Sequence, residues 1–232
     1  MNHISKMLKN RSQANVSKHY DNKYFDWQKG IGSFGGWANQ TKFIDYLDQK
    51  HTVIDFGCGG GYLLAALKLK RRIGIEVSAI AIEEARNNGI EVYRTTEECP
   101  DNIADVIISN NALEHTLRPL DEIRELQTKL KHDGLIIFVV PCENITYKYQ
   151  PNDINHHLYS WSPMSIGNLF TEAGYDLIES QPYIHKWPPN YLEIAKKGRN
   201  VFEKACREYG KKETTWFQIR VIAKRPPNKY SS

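Results

Sequence analysis

This sequence predicts an α/β fold, with a mainly parallel sheet covered by helices on both faces. Three observations carry that. From residue 51 onward, short β-rich runs alternate with amphipathic helical runs, the pattern of βαβ units. Two of the runs, residues 105–109 and 135–140, are almost wholly apolar, as strands buried on both faces are. A glycine run, Gly57-Cys58-Gly59-Gly60-Gly61, closes the first strand and opens a helix.

The elements then follow in order. Val53-Ile54-Asp55-Phe56 reads as a buried strand, and residues 62–70 as the helix after the glycine run. Residues 73–77 form a second strand. Ser78 caps a helix through Arg86, which Asn87-Asn88-Gly89 ends with a left-handed turn signal. Residues 90–95 are a third strand and residues 105–109 a fourth. A helix over residues 121–130 stops at His132-Asp133-Gly134, and the fifth strand, residues 135–140, ends at Pro141. Residues 163–173 read as a helix stopped by Gly174. Residues 175–178 and 217–223 read as two further strands, with a helix near residues 202–209 between them. Residues 40–47 read as a helix before the first strand.

The chain therefore divides into an N-terminal helical region, residues 1–50, and a larger unit, residues 51–232, with an insertion at residues 184–215. Of its 232 residues, 41% are hydrophobic and 25% charged, which suits one globular domain and excludes disordered or low-complexity classes. The longest apolar run, residues 135–140, is far short of the roughly 20 residues that span a bilayer. Residues 1–17 lack the apolar block of a secretory signal, so a cytoplasmic location without membrane spans is expected. The 31 basic and 27 acidic residues leave a net charge of +4, too mild to argue for nucleic acid. Cys58, Cys99, Cys142 and Cys206 show no metal-ligand spacing, so neither zinc nor disulfides are expected.

The glycine run is the most informative segment. Glycines there let the chain turn tightly and let a ligand approach the backbone, at the sheet edge where open α/β folds bind ligands. Tyr62 and Leu64 stand where a dinucleotide fingerprint needs glycine, and no Gly-Lys-Ser/Thr follows. Asp55, two residues before Gly57, would repel a pyrophosphate but suits a positively charged ligand. S-adenosylmethionine has an ammonium, a sulfonium and no phosphate. Glu76, at the end of the second strand, is placed to accept ribose hydroxyls.

These motifs, with Asp105-Val106-Ile107-Ile108-Ser109-Asn110-Asn111-Ala112-Leu113-Glu114-His115 and Leu130 to Pro141 after them, follow in a specific order and spacing. Over about residues 50–180 the sequence resembles the class I S-adenosylmethionine-dependent methyltransferases. The stretches His156-His157-Leu158-Tyr159-Ser160-Trp161-Ser162 and Leu169 to Tyr175 are similar to members that modify sugars and other small metabolites. The resemblance implies a Rossmann-like, seven-stranded, mostly parallel sheet. Its last strand, with residues 217–223 the candidate, would be antiparallel and lie beside the fifth. It implies S-adenosyl-L-methionine as cofactor and S-adenosyl-L-homocysteine as product. Gly57, Cys58, Gly59 and Gly61 would face the methionine and ribose, Asp55 the amino group and Glu76 the ribose hydroxyls. Val77, Thr96 and Glu97 would lie at the adenine, and Asn110 and Asn111 at the methyl-donor end. Residues 1–50 would act as a lid or substrate region, with Tyr20 and Tyr24 closing over the cofactor.

The acceptor is read from what surrounds this core. Nucleobase amino-methylating enzymes carry an Asn/Asp-Pro-Pro-aromatic turn after the fourth strand. Asn110-Asn111-Ala112-Leu113 stands here, so no nucleic-acid substrate is expected. No acidic set for magnesium is visible, so no metal is expected. Tyr147, Tyr149, Tyr159, Trp161, Tyr183, Trp187 and Tyr191 are mixed with His156, His157 and His185. That mixture suits a saccharide or sugar-linked intermediate, as in surface glycan assembly, and equally suits core packing. The leading expectation is O-methylation. The alternatives are N- or C-methylation of another small metabolite, or a non-catalytic partner subunit that binds cofactor. A hydroxyl acceptor needs a base, for which His157, His156 and His115 are the candidates. Adjacent side chains point apart, so at most one of His156 and His157 should face the acceptor. Glu114 and His115 read either as the cap and packing of the turn after the fourth strand or as the edge of the active site. The oligomeric state is left open by the sequence.

Overall fold

A computed structural model describes residues 22–151 and 153–227, with the backbone course alone for residues 22–30. Seven strands form one sheet: β1 (Thr52–Phe56), β2 (Arg71–Ile75), β3 (Glu91–Tyr93), β4 (Ala104–Asn110), β5 (Leu130–Glu143), β6 (Asp176–Pro182) and β7 (Trp216–Lys224). Their order is β3-β2-β1-β4-β5-β7-β6. Strands β1 to β5 pair in parallel, while β7 runs antiparallel to both β5 and β6. The expected architecture is thus the one observed, with the last strand inserted beside the fifth.

Each strand divides its side chains between two cores, because successive residues face opposite sides. On β1, Ile54 and Phe56 pack on one face with Ile107, Phe138 and Phe170, while Val53 packs on the other with Leu64, Ile108 and Ile137. Helices α2 (Tyr62–Ala66), α3 (Ala79–Asn87), α4 (Pro119–Lys129) and α5 (Pro163–Glu172) supply the opposing apolar stripes. Ser78 caps α3 by accepting from Ala81 N–H, and Gly89 takes the left-handed conformation at φ +76. Among the described residues no helix is long and apolar enough to cross a membrane.

Three expectations need correction. Residues 40–47 are not an α-helix but two 3₁₀ turns, Gln40–Lys42 and Ile44–Tyr46. Phe43 breaks the helix at φ −129 to bury its ring completely. The long helix lies before it, as α1 (Asn22–Asn39). Next, α2 ends at Ala66 rather than Lys70, because Leu67 turns extended and enters the core. Finally, β5 begins earlier and ends later than expected. Its ladder with β4 shifts register across Lys131 to Gly134, where Asp133 is left-handed, and β5 continues past Pro141 to Glu143. Beyond Val140 only β7 pairs with it, and an edge tolerates proline's missing N–H.

The insertion between β6 and β7 carries α6 (Tyr191–Ala195) and α7 (Arg199–Gly210). Phe34 and Trp37 of α1 pack there with Trp187, Tyr191 and Phe202. Arg199 stacks on the Trp37 ring at 4.3 Å and donates to its carbonyl. This cluster fixes α1 above the carboxyl ends of the strands.

Candidate active site

The sheet order reverses between β1 and β4, and the glycine loop leaves β1 there. Gly57, Gly59 and Gly61 all have positive φ, at +73, +52 and +74. At Gly57 a side chain would also collide with Ala112, so two constraints demand glycine. Cys58 packs its sulfur against Gly74. Asp55 is buried beneath the loop, and burial, followed by repulsion from Glu76, holds its carboxyl well above the usual range. Glu76 accepts from the backbone N–H groups of Gly59 at 2.9 Å, Val77 at 2.8 Å and Ser78 at 2.8 Å. Burial raises its pKa, against the pull of those three bonds.

A cavity of about 530 Å³ opens over this loop, within the usual range for small-molecule sites. Asp55, Gly57, Cys58 and Gly59 form its floor. Ile31, Gly32, Gly35, Gly36 and Asn39 of α1 line one wall, and His185, Lys186 and Trp187 of the insertion another. Helix α1 reaches the first turn of α2 only because its contact positions, Gly32 and Gly36, lack side chains. A Cβ on Gly36 would press into the Tyr62 carbonyl, and one on Gly32 would touch the Tyr62 ring.

At the other end stand Asn110, Asn111, His115, Asn155, His157 and Gln218. Lys42 is buried and donates to Asn110 Oδ1 at 2.7 Å. Burial lowers its pKa to about 7, against the charges of Glu203 and Glu114. Asn111 sits at φ +55 and accepts from Gln218. Glu114 and His115 lie on a 3₁₀ turn, Leu113–His115. The Glu114 carbonyl accepts from Leu158 N–H at 3.0 Å and Tyr159 N–H at 3.3 Å, which locks this turn to the loop bearing His157. Both His115 and Glu114 face His157: the two rings are 5.0 Å apart edge to face, and His157 Nε2 is 3.9 Å from Glu114 Oε1.

His157 Nδ1 lies 2.5 Å from Glu143 Oε1. Burial alone would lower the imidazole's pKa, but the bond to Glu143 and the nearby carboxylates raise it. Burial alone would raise Glu143, but the bonds from His157 and Ser160 and the charge of the imidazole together bring it below the usual value. Glu114 is fully buried with no hydrogen bond to either carboxylate oxygen among the described residues, and burial raises its pKa to about 8.

The structure thus gathers Asp55, Gly57, Cys58, Gly59, Asn110, Asn111, His115 and His157 around one cavity. It leaves others outside it. His156 is exposed with φ +48 and its N–H on Asp153, so the adjacent pair splits and His156 drops out as a base. Gly61 caps α2 against Ile90 and Ala85. Thr96 donates to Glu122 on α4, and Glu97 is exposed. Glu76, Val77, Thr96 and Glu97 are not among the lining residues. Tyr20 lies outside the described residues, and Tyr24 falls where α1 is described by its backbone alone. Sequence reasoning missed Lys42 and Glu143. Lys42 carried one signal, a lone cation inside Thr41-Lys42-Phe43-Ile44.

This sheet order, glycine loop and acidic cofactor floor define a class I S-adenosylmethionine-dependent methyltransferase. The family model described as a methyltransferase domain matches residues 34–180, and the chain belongs to that family. The ribosomal protein L11 methyltransferase of Glaesserella parasuis is 39% identical over 138 residues, covering 52% of this chain and 46% of that protein. Its Serratia proteamaculans counterpart is 38% identical over 93 residues, covering 35% of this chain and 32% of that protein. The matches span a third to a half of these relatives' length. Among solved structures, a Thermotoga maritima S-adenosylmethionine-dependent methyltransferase superposes at TM-score 0.64 and 17% identity, covering 92% of this chain and all of that one. A Haemonchus contortus phosphoethanolamine N-methyltransferase bound to S-adenosyl-L-methionine gives 0.63 at 14% identity, covering 91% of this chain and 60% of that one. At these identities the likeness is one of fold.

The floor fits S-adenosylmethionine on its own chemistry. A buried carboxyl, Asp55, meets the cavity beside bare glycine backbone; an incoming ammonium would offset its burial and restore its charge, and a phosphate would not.

Proposed function

We propose that this chain methylates a hydroxyl of a small, oxygen-rich acceptor, a saccharide or a sugar-linked intermediate. The observation that carries this reading is the Glu143–His157 contact at the cavity wall. A carboxylate on Nδ1 fixes the imidazole's orientation and tautomer, which is apparatus for activating a hydroxyl. An amine acceptor needs only to be neutral and asks less of such a base, whereas a hydroxyl acceptor depends on one.

Bound S-adenosylmethionine supplies the methyl group. The chain's own residues hold, align and exclude water, which is the main work of such a transfer. On this reading Asp55 holds the amino group, and Glu76 exchanges its bond to Gly59 for ribose hydroxyls. Val77, Thr96 and Glu97 are assigned to the adenine side, and Asn110 and Asn111 to the donor end. The segment through Tyr20 and Tyr24 is assigned to closing the site over the cofactor. Asn155, Gln218, Trp187 and Trp216 then face the acceptor, amides for its hydroxyls and rings for its apolar faces. The insertion, residues 184–215, is its acceptor-side wall.

The test is a methyl-transfer assay on parallel acceptor panels: monosaccharides and nucleotide sugars, small amines, and ribosomal protein L11. Turnover on hydroxylated acceptors that collapses in His157→Asn supports the reading. Turnover confined to amines or to L11, or unchanged in His157→Asn, refutes it.

A further inference from the structure

We propose that Glu114, His115 and His157 form a binding site for one divalent transition-metal ion, zinc-like in its ligand preference, at the acceptor end of the cavity. Its use, to hold the acceptor hydroxyl and lower its pKa in place of proton removal by His157, whose Nε2 would then be a ligand, rests on the hydroxyl-acceptor reading above; its existence does not.

The donor atoms of these three side chains lie within 4.8 Å of one another. Nε2 of His115 is 3.8 Å and Nε2 of His157 is 3.9 Å from Glu114 Oε1. Both exceed the reach of about 3.2 Å for a hydrogen bond, so the imidazoles surround the carboxylate without bonding to it. Tetrahedral ligation at about 2.1 Å places neighbouring donor atoms roughly 3.4 Å apart. A contraction of about half an ångström toward Glu114, and of at most about 1.4 Å between the two imidazoles, would close the set.

Glu114 is the second observation. Its carboxylate is wholly buried, and neither oxygen has a hydrogen-bond partner among the described residues. Such a group is costly unless a cation or donors compensate it. An ion between Glu114 and the two imidazoles would do so. The third observation is Glu143, which takes Nδ1 of His157 at 2.5 Å. Metal-ligating histidines characteristically give their other ring nitrogen to a carboxylate in this way. Two nitrogens and one carboxylate oxygen favour zinc, manganese, cobalt or iron over magnesium and calcium, which prefer oxygen alone. Because His115 and His157 line the cavity, the remaining coordination positions open toward the acceptor. The expectation of no metal, which rests on the lack of clustered acids and paired cysteines, is corrected by a set that joins two segments more than 40 residues apart.

The experiment uses the full chain, stripped with chelator, and titrates it with zinc by calorimetry and with cobalt by visible absorption. Magnesium serves as the control. One equivalent of zinc should bind, with cobalt giving the bands of a low-symmetry nitrogen–oxygen site. Glu114→Gln and His115→Phe should each weaken zinc by about 100-fold or more, and Glu143→Gln by about 10- to 100-fold. Circular dichroism and retained S-adenosylhomocysteine binding check the fold. The wild type gives a readout that needs no variant: its melting temperature should rise with zinc and not with magnesium. Absence of stoichiometric zinc binding, or equal affinity in a folded Glu114→Gln protein, overturns the site. Acceptor assays separate the two readings. Zinc bound by a protein that methylates only amines removes the hydroxyl reading and leaves the site. Hydroxyl methylation by a protein that binds no ion removes the site and leaves the reaction.

Discussion

Glu143, the last residue of β5, meets His157 Nδ1 at 2.5 Å, and so ties a sheet strand to the loop that covers its carboxyl end. Charge-assisted bonds of this kind are roughly twice as strong as neutral ones. Glu143→Gln keeps the shape and removes the charge. Turnover on a hydroxyl acceptor should fall about 10- to 100-fold, with cofactor affinity unchanged. His157→Asn should fall further, by about 10²-fold or more. Steady-state kinetics with a coupled thioether assay measure both, and a Glu143→Gln enzyme at wild-type kcat would sink the coupling.

Gly36 tests the seating of α1. Alanine is favoured over glycine inside a helix by about 1 kcal/mol, so propensity alone predicts that Gly36→Ala stabilises the protein. Its Cβ, however, would press into the Tyr62 carbonyl and the Leu63 amide, which are backbone atoms and cannot step aside. Overpacking costs typically about 1–3 kcal/mol, so the clash should win. Urea denaturation should show net destabilisation, together with weaker S-adenosylhomocysteine binding because α1 lines the cavity. A stabilised variant with normal binding would mean that α1 is not seated on α2.

The same glycines explain what the sequence concealed. Strands β1, β2, β4 and β5 announce themselves by apolar runs, and the loop at Gly57 by its glycines and by Asp55. Helix α1 carries Gly30, Gly32, Gly35 and Gly36, so its local propensity argues against a helix while its packing requires one. Pro141 reads as the end of a strand, yet β5 runs on because its neighbour there is β7 alone. That extension delivers Glu143. Lys42, Glu114, Glu143 and His157 meet only in three dimensions, and no spacing along the chain foretells them.

Glu76 has two roles to separate. Its carboxylate accepts three backbone N–H groups, so Glu76→Ala leaves those donors unpaired as well as removing the proposed ribose ligand. Losing a charged hydrogen bond costs about 1.5–3 kcal/mol, roughly 10- to 150-fold in affinity for S-adenosylmethionine. Glu76→Ala should show that loss and also a lower melting temperature. Glu76→Gln keeps an acceptor for the loop and should recover most of the stability but little of the affinity. Calorimetry showing wild-type affinity in either folded variant would remove Glu76 from the cofactor site.

Lys42 makes stability depend on pH in a direction fixed by its burial. In the folded chain burial lowers its pKa from 10.5 to about 7, while Glu203 and Glu114 pull it upward. Between those two values the unfolded chain binds a proton that the folded chain does not. Stability therefore rises with pH through this window, by at most about 1.4 kcal/mol per unit. Below pH 7 both states are protonated and the destabilisation is complete; above 10.5 both are neutral and it is gone. Lys42→Met removes the titration and also the bond to Asn110, a loss of about 1 kcal/mol that does not vary with pH. Urea denaturation of both proteins at pH 7, 8 and 9, in a Glu114→Gln background that removes the coupled group titrating in this window, isolates the effect, since groups not coupled to Lys42 cancel in the difference. The wild type should gain on the variant at each step upward, and the variant should hold its largest relative advantage at pH 7. Parallel stability profiles would show that Lys42 keeps its proton in the fold, and that the amine facing Asn110 is a cation.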